Sequence, residues 1–230
     1  ATQEHLNSVG VTKSVMGGCP TLFLNELSKH LPEAPKATLG STYISIRAPE
    51  LMNISLRRQA QVQLQITSIF RMLQEEGYNN VKLLCHDSRD IAFAASFGQI
   101  PYVYQPDPYD YLALIKSARA LVSFRIHASL PALSFGTPFV NISYDERASS
   151  LMNVVGLREW DVNIVETGDL TEKVRDRLKN QVVLSNLRLD LASDWQNLQS
   201  IQNNQMSRFA ELVEEYYSLD NSRSESAIVS

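Results

Sequence analysis

The stretch from Ala120 to Gly156, ALVSFRIHASLPALSFGTPFVNISYDERASSLMNVVG, constrains the fold more than any other part of the chain. It opens as a short apolar strand, Ala120 to Phe124, that ends on Arg125-Ile126-His127. An apolar helix rich in small residues follows, broken at Gly136-Thr137-Pro138. A second apolar strand, Pro138 to Ser143, then runs into Ser143-Tyr144-Asp145. Polar residues here gather at strand ends, which is where open α/β sheets place their chemistry.

The residues around this stretch repeat its rhythm. Thr42 to Arg47 reads as a first strand, Val81 to His86 as a second and Tyr102 to Tyr104 as a third. Val162 to Val165 reads as a sixth. Between them, Leu56 to Glu76 carries Val62, Ile66, Ile69, Phe70 and Leu73 on one helical face. Asp90 to Phe97 reads as a short helix, and Pro108 to Ala118 as another with Asp107 as its N-cap. Glu146 to Val155 reads as one more helix. Strands separated by helices, each strand apolar on both faces, predict a doubly wound, mostly parallel Rossmann-like α/β sheet.

Four segments are expected. Residues 1–38 hold a Gly17-Gly18 turn, a short helix from Leu22 to Leu31 and a proline-containing linker, and read as an interdomain segment or the remnant of an N-terminal domain. Residues 39–185 are the α/β domain. Residues 186–217 form a long amphipathic helix, and 218–230 a disordered tail.

Bulk properties exclude several classes. A net charge of -4 argues against a general nucleic-acid binder. The two cysteines, Cys19 and Cys85, form no CxxC pair, and four scattered histidines offer no metal-ligand spacing, so no metal site is expected. No apolar run is long enough to span a membrane, and there is no secretory leader pattern at Ala1. A cytoplasmic protein with reduced thiols is the expectation.

The strand order 3-2-1-4-5-6 would set strands one and four side by side at the switch point. Arg47 and Arg125 would then face one crevice, each able to clamp a carboxylate or phosphate. The helix that starts near His127 would add its free amides. These features predict a site for a small dianion, with His127 as general acid or base. Ser143 and Tyr144 end the fifth strand beside it, where they would either hydrogen-bond a ligand or serve the loop alone. His86-Asp87, after the second strand, would orient a substrate or form a turn.

Ser123 to Leu157, SFRIHASLPALSFGTPFVNISYDERASSLMNVVGL, closely resembles the C-terminal signature of the polysaccharide pyruvyl transferase family. The shared features are Arg-x-His at a strand end, an alanine-rich helix, Gly-x-Pro before a strand, and Ser-Tyr-Asp. Weaker similarity over Gly18 to Asn25 and Thr42 to Arg47 extends it to roughly residues 15–160. The resemblance implies the C-terminal half of a GT-B fold. It implies transfer of a pyruvyl ketal from phosphoenolpyruvate to a sugar of a cell-surface glycan or its lipid-linked precursor. Arg125 and His127 match the family's functional Arg-x-His, and Arg47 a donor-binding arginine. No cofactor beyond the phosphoenolpyruvate donor is implied. Arg147 stands where the family often has lysine. The family's glycine-rich N-terminal domain has no counterpart in the sequence, so a fragment or truncated homologue holding half a cleft is expected.

Two other readings compete. A GT-B glycosyltransferase would bind a nucleotide sugar in the same crevice, but Ile126 to Tyr144 contains no acidic residue to hold ribose hydroxyls. A non-catalytic homologue would instead bind a partner through its long C-terminal helix. Peripheral membrane association and homo-oligomers stay open.

Overall fold

The computed structural model describes residues 7–10, 19–164 and 168–226, with side chains described through residue 217. His5, the Gly17-Gly18 turn and Val165 lie outside them. Two compact units are present: Thr21–Leu191 forms one, and the described residues before and after it belong to the other.

The first unit is built on six strands: β1 (Thr42–Ile46), β2 (Val81–Cys85), β3 (Tyr102–Tyr104), β4 (Ala120–Ser123), β5 (Phe139–Ser143) and β6 (Asp161–Asn163). They form one sheet in the order β3-β2-β1-β4-β5-β6, and every neighbouring pair is parallel. Six helices of this unit supply the crossovers and their extension. They are α1 (Leu56–Glu75), α2 (Ile91–Ala95), α3 (Pro108–Ser117), α4 (Ile126–Phe135), α5 (Glu146–Val154) and α6 (Leu170–Lys179). A seventh, α7 (Gln181–Asp190), follows before the unit ends. The doubly wound parallel sheet expected from the strand–helix alternation is therefore present, in the expected strand order.

The sheet divides its faces by parity. Ile44, Ile46, Leu83, Cys85, Val122, Phe124, Val140, Ile142 and Val162 join α1 residues Val62, Ile66 and Ile69 in one core. Leu170, Val174 and Leu178 of α6 complete it, each such buried aliphatic contributing roughly 1.5–3 kcal/mol. The alternate strand residues meet α4 and α5. Ser129 of α4 donates to Asn141 of β5, and Ser149 of α5 donates to Ser143. This second face carries Ser45, Ser123, Asn141 and Ser143, all fully buried, so the strands are not apolar on both sides as expected.

Local chemistry fixes the helix starts. Asp107 accepts from the amides of Tyr109 (2.7 Å) and Asp110 (3.3 Å) to cap α3, with Pro108 at its first position. Asp145 accepts from Ala148 N to cap α5. Three elements depart from expectation. Leu22 to Leu31 is not one helix but short 3-10 turns at Pro20–Phe23 and Leu27–Lys29, which bury Leu22 alone and so lack the packing that sustains a longer helix. The short helix expected over Asp90 to Phe97 is present as α2, trimmed to Ile91–Ala95 and entered through a 3-10 turn at Ser88–Asp90.

The expected long helix breaks at Leu191. That side chain packs onto Gly156, which has φ +77° at the end of α5. A Cβ on Gly156 would meet Leu191 Cδ1 at 2.7 Å, in a backbone region that L-residues avoid. The second unit contains α8 (Ala192–Ser226), where helical backbone covers most of the segment expected as a disordered tail. Along it, Arg208 pairs with Glu211 at 2.8 Å. Among the described residues no helix is long and apolar enough to cross a membrane.

Candidate functional site

The exits of β1, β2, β4 and β5 converge at the C-terminal edge of the sheet, on either side of the β1–β4 switch point. Arg47 leaves β1 half-buried. Its Nε donates to the Leu51 carbonyl at 2.9 Å, and its guanidinium carbon lies 5.8 Å from the Tyr144 ring centroid. No described residue takes its terminal nitrogens. Burial raises the Tyr144 phenol above its ordinary range, and Arg47 opposes that rise. The two residues thus form one wall of the edge.

Arg125 leaves β4 buried. Its Nη2 donates to both carboxylate oxygens of Asp90, at 2.8 and 2.6 Å, and its Nε donates to the Ile46 carbonyl at 3.2 Å. Asp90 is wholly buried and also accepts from the amides of Ala48, His86 and Asp87. Arg125 is therefore anchored through its Nε and Nη2. Its Nη1 is the terminal nitrogen with no partner among the described residues.

His127 lies exposed in the first turn of α4. It is close enough to His86 to disfavour charge there. His86 is half-buried, with Nδ1 3.1 Å from the Tyr111 hydroxyl and its ring edge-on to that phenol. Burial above all, then Arg125, pushes the His86 imidazole below its ordinary value, against the pull of Asp90. Burial likewise raises the Tyr111 phenol, which stays protonated. Asp87 completes the rim. Hydrogen bonding from Arg89 holds its carboxyl down to about 2.

Ser143 does not join this edge. Parity points it to the face covered by α5, where its hydroxyl donates to Asp161 at 2.8 Å and accepts from Ser149. Asn141 donates to the other Asp161 oxygen at 2.6 Å. Arg147 is exposed and pairs with Asp145 at 2.7 Å. Burial raises the Asp161 carboxyl, only partly opposed by the bonds from Asn141 and Ser143. A carboxyl held above its unfolded value stabilises the fold fully below about pH 4 and loses that contribution as pH rises through the folded value. The Tm of Asp161→Asn relative to wild type is therefore expected to climb as pH rises from about 4 through the folded value. A difference that stays constant over that range would contradict this account.

The structure thus brings Arg47, Arg125, His127 and Tyr144 to one edge and sends Ser143 elsewhere. Sequence reasoning missed Asp90, taken for a helix start, and gave His86 and Tyr111 too little weight. The available signal was Arg125 itself, since an arginine buried at a strand end needs an acidic partner. Among the described residues no group of three His, Cys, Asp or Glu is placed to hold a metal ion.

The sequence model of the polysaccharide pyruvyl transferase family matches residues 1–146, which include every residue of this edge. The chain belongs to the polysaccharide pyruvyl transferase family. It is also similar to the amylovoran biosynthesis protein AmsJ of Erwinia amylovora, at 25% identity over 207 residues, covering 77% of this chain and 49% of AmsJ. The chain therefore spans about half the length of that curated relative. Among solved structures, trehalose-6-phosphate synthase OtsA aligns with a TM-score of 0.45 and 11% identity, over 81% of this chain and 49% of OtsA. The UDP-forming alpha,alpha-trehalose-phosphate synthase of Burkholderia xenovorans aligns with a TM-score of 0.42 and 16% identity, over 83% and 50%.

Proposed function

We propose that this pyruvyl transferase family chain carries the donor site of an enzyme that moves the pyruvyl group of phosphoenolpyruvate onto a glycan or lipid-linked sugar as a ketal. The observation that carries the reading is the edge itself, where the terminal nitrogens of Arg47 have no partner among the described residues and lie beside a second arginine and an exposed histidine. Phosphoenolpyruvate bears a phosphate and a carboxylate, which suits two guanidinium groups. The exposed start of α4 adds backbone amides at the same place.

The reaction then balances as follows. C3 of the donor takes a proton, which makes C2 electrophilic, and a first sugar hydroxyl oxygen bonds to C2. The C2–O bond to phosphate breaks with its electron pair on the phosphate, and a second hydroxyl oxygen closes the ketal. Of the two hydroxyl protons, one balances the proton gained at C3 and the other leaves with phosphate. In this scheme His127 passes the proton, and Arg47, Arg125 and Tyr144 hold the donor. Ser143 contributes only by bracing β5 against β6.

Calorimetric titration of the chain with phosphoenolpyruvate and, in parallel, with a nucleoside diphosphate tests the reading. Phosphoenolpyruvate should bind, and Arg47→Ala should weaken it about 30-fold, the loss of one charge-assisted clamp worth about 2 kcal/mol. The same substitution should shift stability by no more than about 1–2 kcal/mol, because it removes the Nε bond to Leu51 and a partly exposed contact with the Tyr144 ring. Binding of the nucleoside diphosphate without phosphoenolpyruvate would instead support the glycosyltransferase reading.

A further inference from the structure

Asp90 and Arg125 are the two buried charged residues among those described. The Asp90 carboxylate gathers three strand exits at one point. Ala48 N, after β1, reaches Oδ1 at 3.0 Å. His86 N and Asp87 N, after β2, reach Oδ2 at 3.2 and 3.3 Å. Arg125, after β4, reaches both oxygens. The guanidinium is thereby held along its Nε and Nη2 side, which leaves Nη1 unpartnered among the described residues.

Fold stability alone does not call for this arrangement. An apolar pair of similar volume generally serves a buried position as well as or better than an ion pair. A purely structural tie would also be free to consume every guanidinium donor. Here the Nη1 donors are kept, two residues from His127 and across the switch point from Arg47. A planar fork fixed on one side presents its remaining donors in a single direction.

We propose that Asp90 is a positioning residue for the donor site, acting through Arg125 to aim Nη1 at the anionic end of the donor. This inference rests on the phosphoenolpyruvate reading above. Asp90 touches no substrate in this scheme. Its contribution is the direction in which Arg125 meets the donor, so its removal should disturb donor recognition while leaving acceptor recognition alone.

Steady-state kinetics of the complete enzyme, normalised to folded protein, test this. Asp90→Asn keeps the side-chain shape and one acceptor but replaces the charge with an amide beside the guanidinium. KM for phosphoenolpyruvate should rise at least about tenfold and kcat/KM fall about 100-fold, with KM for the acceptor within about twofold. Arg125→Lys alone should cause a loss of similar size, and the double variant should be little worse than Arg125→Lys, as expected when two residues act as one unit. A merely structural role would lower the yield of folded enzyme and leave both KM values unchanged. Should Asp90→Asn fail to fold, Asp90→Glu, which keeps the charge but displaces the guanidinium, should show the same donor-specific rise in KM. Wild-type donor kinetics in whichever of these variants folds, or multiplicative losses in the double variant, would overturn the proposal while leaving the phosphoenolpyruvate reading standing. A wild-type enzyme that does not turn over phosphoenolpyruvate would overturn both.

Discussion

Arg125→Ala is expected to destabilise the protein by about 3–5 kcal/mol, the usual consequence of stripping one partner from a buried ion pair. In a unit of this size each kcal/mol lowers Tm by roughly 2–4 °C, so a fall of about 6–20 °C should appear in a thermal melt. Turnover should disappear as well. The loss comprises both contacts to Asp90, the ion pair to Asp87 at 3.5 Å and the bond to the Ile46 carbonyl, and it strands a carboxylate that has no access to water. The companion variant Arg125→Met with Asp90→Asn removes both charges and keeps one acceptor for the strand-exit amides. It should recover at least about 1 kcal/mol of the lost stability and none of the activity. Equal stability of Arg125→Ala and wild type would show that the pair is not buried as described.

His127→Gln is expected to do the opposite, leaving the melt unchanged and removing the chemistry. The side chain is exposed in the first turn of α4. Its replacement should therefore move stability by no more than about 0.5 kcal/mol. Loss of a general acid or base typically lowers kcat by about 10²–10⁴. Phosphoenolpyruvate affinity should change far less than kcat, since the proposed scheme assigns the donor clamp to the arginines rather than to the imidazole. Turnover close to wild type in folded His127→Gln would remove His127 from the proton-transfer role.

These two residues also show what could be read from the chain. Arg125-Ile126-His127 marks a strand end, and the alternation of strands and helices was enough to order the sheet and set Arg125 beside Arg47. Sequence periodicity conveys which residues alternate, but not which helix will cover a face. Ser143 was lost for that reason: its parity directs it under α5, where Ser149 and Asp161 satisfy it. Asp90 was hidden for another. An acidic residue at a helix start has a local use as a cap, and nothing nearby in sequence reveals that its partner lies 35 residues away. The contact of Leu191 with Gly156, at the break in the expected long helix, is likewise a matter of tertiary packing.

The Asp90 carboxylate has one more consequence. Backbone just beyond a strand is usually the loosest part of an α/β domain, and a ligand that binds there must bring it to order. Here the amides at 48, 86 and 87 are already tied to a single buried group. The rim is thus set before any ligand arrives, and little of the binding energy is diverted into immobilising loops. An anion would meet a surface preorganised for it, so its affinity would reflect charge and fit more than the entropy of closure.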